Sequence, residues 1–428
     1  MRKSLRVIVV AAALALLLVL GSGIGSAKVT IDFWTLFTGP DGRVMGELVE
    51  RFNEEHPDIE VVMQILPWGE PYYSRLATSV VSGEAPHVAI CHDYMIPRFA
   101  STNAVLPINE SMLEVLELGE DMFYDAVWNN SGSYEGVRYG IPLDFHGFGV
   151  YYNVDLLHEA GLSSEPDALP VTGDEFVAAL MKMTKDLDGD GTIDRWGIIA
   201  PLDWFRAWSL WAGVWQNGGD FLSEDKTRST WNTDIGRKAL QFQVDLIHKH
   251  KVMSPELSVN PFLAYYQGQA ATMISGVWEV LGAEAAEGLN YTVGNHPLIG
   301  PEKVYAIGSH TFVLPVQAKR DAEKERAALT FIKWILDNNL DWVKAGQCPS
   351  RLDVLEVDEF RNAPYLLPQR TIAEQGAYGR YLPKIIPWSR VQERIVSGIE
   401  AALLGKKTVE QTLADMDREI DAILARGR

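Results

Sequence analysis

Cysteine is nearly absent from this sequence of 428 residues. Cys91 and Cys348 are the two present, and neither belongs to a C-x-x-C pair or to a cysteine–histidine cluster. The pattern therefore gives no sign of a zinc site or of a disulfide-rich scaffold. An oxidising compartment would allow one disulfide, but two cysteines so far apart are as readily two buried small residues. We expect them to be unpaired.

Basic residues are also fewer than acidic residues. Lys and Arg number 38 against 57 Asp and Glu, which gives a formal net charge of −19. An acidic surface disfavours binding to DNA, RNA or anionic lipid, so we expect no nucleic-acid partner. It does not bear on a small neutral ligand. The phosphate-binding motif G-x-x-x-x-G-K-[ST] is missing as well, which excludes a P-loop ATPase.

A long hydrophobic run occurs only near the N-terminus. Residues 7–20 form an apolar run of 14 residues behind a basic stretch, whereas a membrane span needs about 20. Small residues ending at Ala27 follow the run. This pattern predicts a secretory signal peptide, residues 1–27, cleaved near Ala27, and hence an extracytoplasmic (periplasmic) protein; an uncleaved anchor is the alternative. No cysteine lies directly after the run, which excludes an acylated N-terminal cysteine as an anchor.

Tryptophan, in contrast, is abundant. The chain has 13 tryptophans, of which Trp204, Trp208, Trp211 and Trp215 fall within one short segment. A buried indole N–H needs a hydrogen-bond partner, so tryptophan at this density is rarely used merely to fill a core. We therefore expect some of these rings to serve a ligand.

The exported chain of about 400 residues exceeds a single core, which predicts two domains. It opens with strand, helix, strand, helix and strand, predicted over Val29–Trp34, Val44–His56, Ile59–Ile65, Tyr72–Ser82 and His87–Cys91. This is the pattern of an open α/β sheet, in which ligands bind beyond the carboxyl ends of the strands. No long linker follows, so we expect the chain to cross between the domains more than once.

Further segments alternate between strand and helix patterns. Residues 141–153 and 273–280 are predicted as strands, because they are apolar and rich in β-branched or aromatic residues. Amphipathic helices are predicted over Val154–Ala160, Asp174–Lys185, Lys238–Lys249, Asp321–Asp337 and Thr408–Ala425.

Several segments, in their order along the chain, resemble the sugar-binding proteins of ABC transporters, the extracellular family that includes maltodextrin-binding protein. The ordered set spans nearly the whole exported chain, and Gly173 departs from it where the family usually carries Trp. The matching segments are residues 52–61 (FNEEHPDIEV), 140–162 (GIP, YYNVDLL and AGL), 170–176 (PVTGDEF), 262–278, 331–334 (FIKW) and 346–351 (GQCPSR).

The resemblance implies an α/β, two-lobed periplasmic-binding-protein fold of type II, with a hinge and a ligand cleft between the lobes. By analogy the N-terminal lobe comprises residues 28–143 and 310–348, and the C-terminal lobe residues 147–306 and 350–428. The hinge crossovers lie near 144–146 and 307–309. It also implies a carbohydrate ligand, delivery to a membrane permease, no cofactor and a monomeric protein.

Four tryptophans are candidates for stacking on a sugar, whose C–H face is apolar. Trp278 occupies the family's ring-stacking position, and a core tryptophan at a strand end is the alternative. Trp34 ends the first strand, where the family lines its cleft. Trp208 belongs to a segment similar to the family's second aromatic wall, and Trp388 lies near a C-terminal stacking position of some relatives.

Polar side chains would bind the hydroxyl groups of the sugar. Asp93 follows His92 in an HD pair that matches maltodextrin-binding relatives, and Glu279 adjoins the stacking tryptophan. On the first crossover His146 stands where one alignment places an acid, and Asp144 is the alternative candidate for that role. The weaker candidates are Arg206, which would bind hydroxyls or pair with an acid, Arg351, which would reach the cleft or the opposite lobe, and His310.

One acidic loop resembles a calcium site. Asp186, Asp188, Asp190 and Asp194 occupy ligand positions of a calcium loop, but Gly197 stands where the bidentate Glu is required. A D-G-D-G turn before a strand explains the same residues, because Asp and Gly tolerate positive φ. Calcium therefore remains one of two interpretations.

Two other functions stay open from the residues. A secreted glycosidase would need two facing carboxylates, which so acidic a chain can supply. The other alternative is that the same fold binds a polyol, glycerol phosphate or iron. Iron would call for paired tyrosines, and neighbours in a strand point to opposite faces. A phosphate would call for several basic residues, in which the aromatic segments are poor.

Overall fold

The computed structural model describes residues 28–200, 204–254 and 260–427. The predicted signal peptide lies outside the described residues. The strands are β1 (Val29–Thr35), β2 (Ile59–Ile65), β3 (Val88–His92), β4 (Ser133–Tyr134), β5 (Val137–Arg138), β6 (Gly140–Pro142), β7 (Asp144–Asn153), β8 (Trp196–Ile199), β9 (Ala270–Gly276), β10 (Tyr291–Asn295), β11 (Tyr305–Gly308), β12 (His310–Val313), β13 (Cys348–Pro349) and β14 (Gly379–Arg380).

The α-helices lie between these strands and at the C-terminal end. They are α1 (Pro40–Glu55), α2 (Glu70–Ser82), α3 (Ile96–Ser101), α4 (Glu110–Leu116), α5 (Asp125–Asn130), α6 (Val154–Glu159), α7 (Gly173–Met183), α8 (Trp204–Gln216), α9 (Asp234–His248), α10 (Pro261–Tyr266), α11 (Val280–Ala285), α12 (Ala322–Asp337), α13 (Asn339–Val343), α14 (Leu352–Leu355), α15 (Asp358–Asn362), α16 (Leu367–Ala373), α17 (Trp388–Leu403) and α18 (Val409–Arg426).

The first sheet has the strand order β2-β1-β3-β12-β6. β1 pairs in parallel with β2 and β3, as the strand–helix alternation predicts. β12 comes from much later in the chain and inserts antiparallel between β3 and β6. Helix α12 packs on this sheet, and the rings of Phe33 and Phe331 meet in its core with centroids 5.1 Å apart.

The second sheet is organised around the long strand β7. Its path is β14-β11-β7-β9-β8, and β10 and β13 also pair with β7. Helices α8, α9, α17 and α18 pack together on its flank, because their amphipathic faces share one apolar core. Two sheets with separate cores make two lobes.

Two crossovers connect the lobes side by side. The first runs from β6 through Leu143 into β7, and the second runs from β11 through Ser309 into β12. Gly308, at the end of β11, pairs with His146, near the start of β7. The two crossover segments are therefore held together at the junction of the lobes.

Helix ends agree with the local sequence in type but differ by a few residues. α1 begins at Pro40 rather than at the predicted Val44, because proline is accommodated at the first helical positions, where its missing N–H costs nothing. α2 ends at Ser82, and the left-handed conformation of the next residue, Gly83, with a φ of 77°, caps the helix. α18 begins with a capping box formed by Thr408 and Gln411.

More tryptophans are packed in the core than we expected. Trp211 is fully buried and lies 5.6 Å from Trp388, while Phe221 stacks on Trp231 at 4.9 Å. Among the described residues, the indole nitrogens of Trp211, Trp231 and Trp388 find no hydrogen-bond partner. The expectation that indole N–H groups would keep these rings out of the core is therefore wrong at these positions.

Both cysteines are buried and unpaired. Cys91 Sγ lies 3.5 Å from the carbonyl oxygen of His92, and Cys348 Sγ lies 3.7 Å from that of Gln369. Burial raises the pKa of both thiols, so neither is a reactive thiolate. Among the described residues, no helix combines the length and the apolar character that crossing a bilayer requires.

Candidate functional site

Three histidines and one aspartate meet where the crossovers run side by side. Asp144 and His146 begin β7, His310 begins β12 and His92 ends β3. The His310 ring lies 4.7 Å from that of His92 and 4.8 Å from that of His146. All four residues are buried, and we call them the histidine cluster. His310, a weaker candidate in the sequence, lies at its centre.

Asp144 holds this cluster together. Its carboxylate accepts hydrogen bonds from the backbone N–H of His310 at 3.0 Å and from Trp342 Nε1 at 2.8 Å. His310 Nδ1 lies 2.9 Å from the same carboxylate. Burial acts to raise the pKa of Asp144, but the nearby His310 and His146 imidazoles and the hydrogen bond with His310 outweigh it, so the pKa falls below its usual range.

Burial favours the neutral form of His92 and of His146. Burial, with the neighbouring imidazoles, lowers the pKa of His92 well below its ordinary value, and burial also lowers that of His146. Tyr73 Oη lies 2.5 Å from His92 Nδ1 and sets the orientation of that ring. Neutral imidazoles can donate from one nitrogen and accept at the other, as binding to a hydroxyl group requires.

Two predicted tryptophans border the cluster. The Trp278 ring lies 5.6 Å from that of His146 in an edge-to-face arrangement, and the Trp208 ring lies 5.9 Å from it. Phe148 contacts both indoles, at 5.4 and 4.8 Å. Trp278 is half-buried, while Trp208 is 3% exposed. These aromatic side chains come from the second lobe.

Two glycines make room for this arrangement. A Cβ at Gly276 would lie 2.1 Å from the Trp278 indole, so this glycine lets the ring fold back over the end of β9. The strand predicted to continue to Val280 accordingly stops at Gly276, and residues 277–279 form a 3₁₀ turn. A Cβ at Gly308 would lie 2.7 Å from His146 Nε2 and 3.1 Å from the Trp208 ring.

Asp93 joins the lobes at the same place. Its Oδ1 accepts the backbone N–H of Ser309 at 3.0 Å, and its Oδ2 lies 3.2 Å from Lys384 Nζ. Asp93 belongs to the first lobe, whereas Lys384 lies between β14 and α17 of the second. No local pattern points to Lys384, because its partner lies 291 positions earlier.

The side chain of Glu279 contacts a residue of the second lobe, to which Glu279 itself belongs. Its carboxylate accepts a hydrogen bond from Tyr266 Oη of α10. Burial raises its pKa to about 7, against the opposing effect of that hydrogen bond. The structure therefore does not bring Glu279 to the histidine cluster, although it adjoins Trp278 in sequence, because the 3₁₀ turn sends the two side chains in different directions.

Trp34 also lies apart from the cluster. The guanidinium of Arg75, on α2, stacks over its ring at 5.1 Å. Consecutive residues of β1 point to opposite faces, and Trp34 takes the face under α2. Phe37, which sequence reasoning passed over, takes the expected position: its ring lies 4.9 Å from that of His310.

Arg206 and Trp388 lie inside the second lobe rather than at its surface. Arg206 Nη1 lies 3.0 Å from Met253 Sδ, and burial lowers its pKa to about 10. Arg206 is two residues from Trp208, which on a helix means nearly opposite faces. Trp388 is 1% exposed and packs on Trp211 and Phe221. The side chain of Trp204 is outside the described residues.

Arg351 reaches the first lobe. Its guanidinium donates to both carboxylate oxygens of Asp353, at 3.0 and 2.6 Å, and to Asp337 at the end of α12 at 3.1 Å. Of the two placements left open by the sequence, the structure shows the contact with the other lobe, away from the cluster.

The acidic loop is an exposed turn. Asp186 accepts the backbone N–H groups of Gly189 and Gly191 at 2.7 and 2.9 Å, and Asp194 accepts that of Leu187 at 2.7 Å. One carboxylate oxygen each of Asp186, Asp188 and Asp194 lie within 4.8 Å of one another, whereas Asp190 is not in this group. These contacts satisfy the turn interpretation, and calcium binding stays a prediction.

A groove between the lobes opens beside the cluster. It encloses about 820 Å³ and is lined by Trp68, Tyr73 and Tyr94 of the first lobe and by residues of α17. Trp68 is 44% exposed, and its ring lies 6.2 Å from that of His92. Sequence reasoning missed Trp68 and Tyr94; their aromatic character next to the ends of β2 and β3 is the signal that would have found them.

Comparison with known proteins identifies the family of this chain. A sequence profile described as bacterial extracellular solute-binding protein matches residues 38–339. The chain belongs to this family. The resemblance noted from the ordered segments is thereby confirmed, and the two-lobed α/β fold is that of the periplasmic-binding proteins.

Within the family of extracellular solute-binding proteins, curated relatives differ in ligand. The arabinooligosaccharide-binding protein of Halalkalibacterium halodurans is 28% identical over 271 residues, 61% of this chain and only 56% of that protein. The sn-glycerol-3-phosphate-binding periplasmic protein UgpB of Pectobacterium atrosepticum is 22% identical over 422 residues, 94% of this chain and 92% of that protein.

A solved structure shows the same fold. The GacH receptor of Streptomyces glaucescens, determined unliganded and with acarbose, superposes with a TM-score of 0.78 at 20% identity, covering 94% of this chain and all of that one. These relatives are named as binding proteins or a receptor rather than as enzymes.

Proposed function

We propose that this protein captures a carbohydrate, a sugar or oligosaccharide, between its two lobes and delivers it to the permease of an ABC transporter. One observation carries the proposal: the Trp278 and Trp208 rings of the second lobe border the buried histidine cluster, where Asp93 of the first lobe also ends. Aromatic faces beside hydroxyl-binding groups match the two surfaces of a sugar ring.

The arrangement also supports a mechanism. A ligand in contact with Asp93 and His92 of one lobe and Trp278 of the other stabilises the closed arrangement through contacts that the open one lacks. Hydroxyl groups would bind neutral imidazoles and the Asp93 carboxylate. An analogue without the matching hydroxyl would leave these buried groups unpaired and bind more weakly.

A phosphorylated polyol is the second candidate. One specific observation favours it: Arg138, Lys226 and Lys384 line a pocket of about 590 Å³ between the lobes. However, Arg138 donates to the carbonyls of Ser131 and Trp128, and Lys384 binds Asp93. Two of the three cations thus already have internal partners, so the carbohydrate is the proposal that we prefer.

A calorimetric titration of the exported chain tests both candidates. We expect saturable one-to-one binding of one oligosaccharide from a panel of α- and β-linked glucans and arabinans, and none of glycerol 3-phosphate or its choline diester. Trp278→Ala should abolish that binding, and the matched control Trp334→Ala should retain it, because Trp334 is also half-buried but lies on the outer face of the first lobe against Arg51.

Two results would decide against the carbohydrate. Tight binding of the phosphodiester with no response to any glycan would favour the second candidate. Release of shortened sugars on incubation with labelled oligosaccharide would show a glycosidase, whereas recovery of intact sugar would agree with binding alone.

The remaining predictions belong to the same proposal. The signal peptide would be removed near Ala27, leaving a periplasmic or otherwise extracytoplasmic monomer. The lobes would comprise residues 28–143 with 310–348 and 147–306 with 350–428.

A further inference from the structure

Three residues of the histidine cluster carry side chains of the types that bind metal ions. One nitrogen each of His146 and His310 and one carboxylate oxygen of Asp144 lie within 4.8 Å of one another. The three residues are 3%, 6% and 0% exposed. Imidazole nitrogen together with carboxylate oxygen is the ligand set of zinc and related divalent transition metals.

The distances suit one ion. Asp144 Oδ2 lies 2.9 Å from His310 Nδ1, and Asp144 Oδ1 lies 3.7 Å from His146 Nδ1. Two tetrahedral ligands at zinc-to-nitrogen lengths lie about 3.4 Å apart. The observed separations fall on either side of that value, so small side-chain rotations would bring all three donors to one centre.

A second observation points to a ligand at this place. His146 Nδ1 is buried and makes no hydrogen bond to any of the described residues, and Asp144 Oδ1 lies 3.7 Å away. A buried polar nitrogen without a partner is unfavourable, and such atoms are uncommon in native proteins. An ion bound between His146 and Asp144 would satisfy this nitrogen.

The surroundings resemble the outer shell of a metal site. Trp342 Nε1 and the backbone N–H of His310 both donate to the Asp144 carboxylate, which fixes its position. Such outer contacts orient metal ligands and raise their affinity. His92, whose ring lies 4.7 Å from that of His310, is the nearest additional imidazole for a fourth position.

We propose that Asp144, His146 and His310 bind a divalent transition-metal ion, with zinc the best fit, at the junction of the two crossovers. The residues come from both crossover strands, Asp144 and His310 being 166 positions apart. A bound ion would therefore cross-link the hinge and stabilise the arrangement in which the strands lie side by side. Opening of the lobes would provide the route of entry.

Cobalt and zinc titrations of the exported chain, stripped with EDTA and without sugar, test the site. We expect one equivalent of Co²⁺ to bind with visible absorption bands of tetrahedral cobalt, and one equivalent of Zn²⁺ to displace it. His146→Gln and His310→Gln should each weaken binding at least tenfold. His158→Gln, an exposed histidine bonded to Ser164, and Asp186→Asn in the acidic turn should leave it unchanged.

The proposal is overturned if no stoichiometric binding occurs, if both cluster variants bind like the unaltered chain, or if Asp186→Asn alone removes the signal. Circular dichroism of each variant confirms that it is folded, and a melting temperature that rises with added Zn²⁺ in the unaltered chain gives a readout without substitution. Sugar binding is titrated in a separate experiment in the presence of EDTA. A negative result for metal binding therefore does not affect the test of sugar binding, and a negative result for sugar binding does not affect the test of the metal site.

Discussion

Lys384 Nζ lies 2.8 Å from the carbonyl oxygen and 3.2 Å from Oδ2 of Asp93, and this contact joins the second lobe to the first. The Asp93 side chain is 1% exposed and that of Lys384 13% exposed. A buried ion pair contributes little net stability, but removal of one partner leaves the other charge unpaired. The pair therefore couples the charge of Asp93 to the closure of the lobes.

Lys384→Met should open the ligand-free protein. The unpaired Asp93 would destabilise the closed arrangement by about 3–5 kcal/mol, and opening would relieve this by returning the carboxylate to water. The radius of gyration from small-angle X-ray scattering should increase. Lys406→Met, an exposed lysine paired with Glu400, is the control. Identical scattering of all three proteins would contradict the coupling.

Gly308→Ala should weaken ligand binding. The added Cβ would press on His146 Nε2 and the Trp208 ring, both held in packed surroundings, and overpacking of this kind costs about 1–3 kcal/mol. Urea unfolding and calorimetric titration would measure the two effects. In contrast, Gly46→Ala in α1 meets only the flexible end of Met63 at 3.4 Å and should be neutral or slightly stabilising.

Glu279 should make stability depend on pH. Its pKa rises from 4.5 to about 7 on folding, so between these values the folded state binds more protons than the unfolded state and stability falls as pH rises. Glu279→Gln should remove this decrease, worth about 2 kcal/mol. Unfolding midpoints in urea at pH 5 and pH 8 would show it. Glu287→Gln, an exposed neighbour, should leave the pH dependence of the unaltered chain intact.

Trp388 and Trp278 should respond differently to truncation. Trp388→Ala would leave a large cavity beside Trp211 and Phe221 and destabilise the protein by about 3–5 kcal/mol. Trp278→Ala should cost less, because its ring is half-buried at the junction. Thermal unfolding of the ligand-free variants separates the two. Equal losses would mean that Trp278 is a core residue.

Most of the fold could be predicted from periodicity. The first strands and the long amphipathic helices lie within a few residues of their predicted bounds, since alternation of apolar residues with periods of 2 and 3.6 directly reflects one buried face. The exception at residues 273–280 is instructive. An apolar run cannot show where a strand ends, and the end at Gly276 depends on the ring of Trp278 packing back on it.

The candidate site was predicted less completely. Asp93, Asp144, His146, His310, Trp208 and Trp278 do come together, and these six were selected with the help of ordered family segments. Arg206 and Trp388 were misplaced, because neither a composition suited to sugar binding nor a position near a family stacking residue says which face of a helix meets the core. Lys384 had no local signal, since its partner Asp93 lies on another element.

By itself the sequence predicted an export signal and determined the acidic net charge, the order of strands and helices and the family, because each of these depends on residues close together in the chain, on composition or on ordered recurrence. Only the tertiary structure decided which side chains share the junction of the lobes. Asp144 and His310 meet because β12 returns to lie between β3 and β6, and such long-range pairing results from packing of the whole chain rather than from any local pattern.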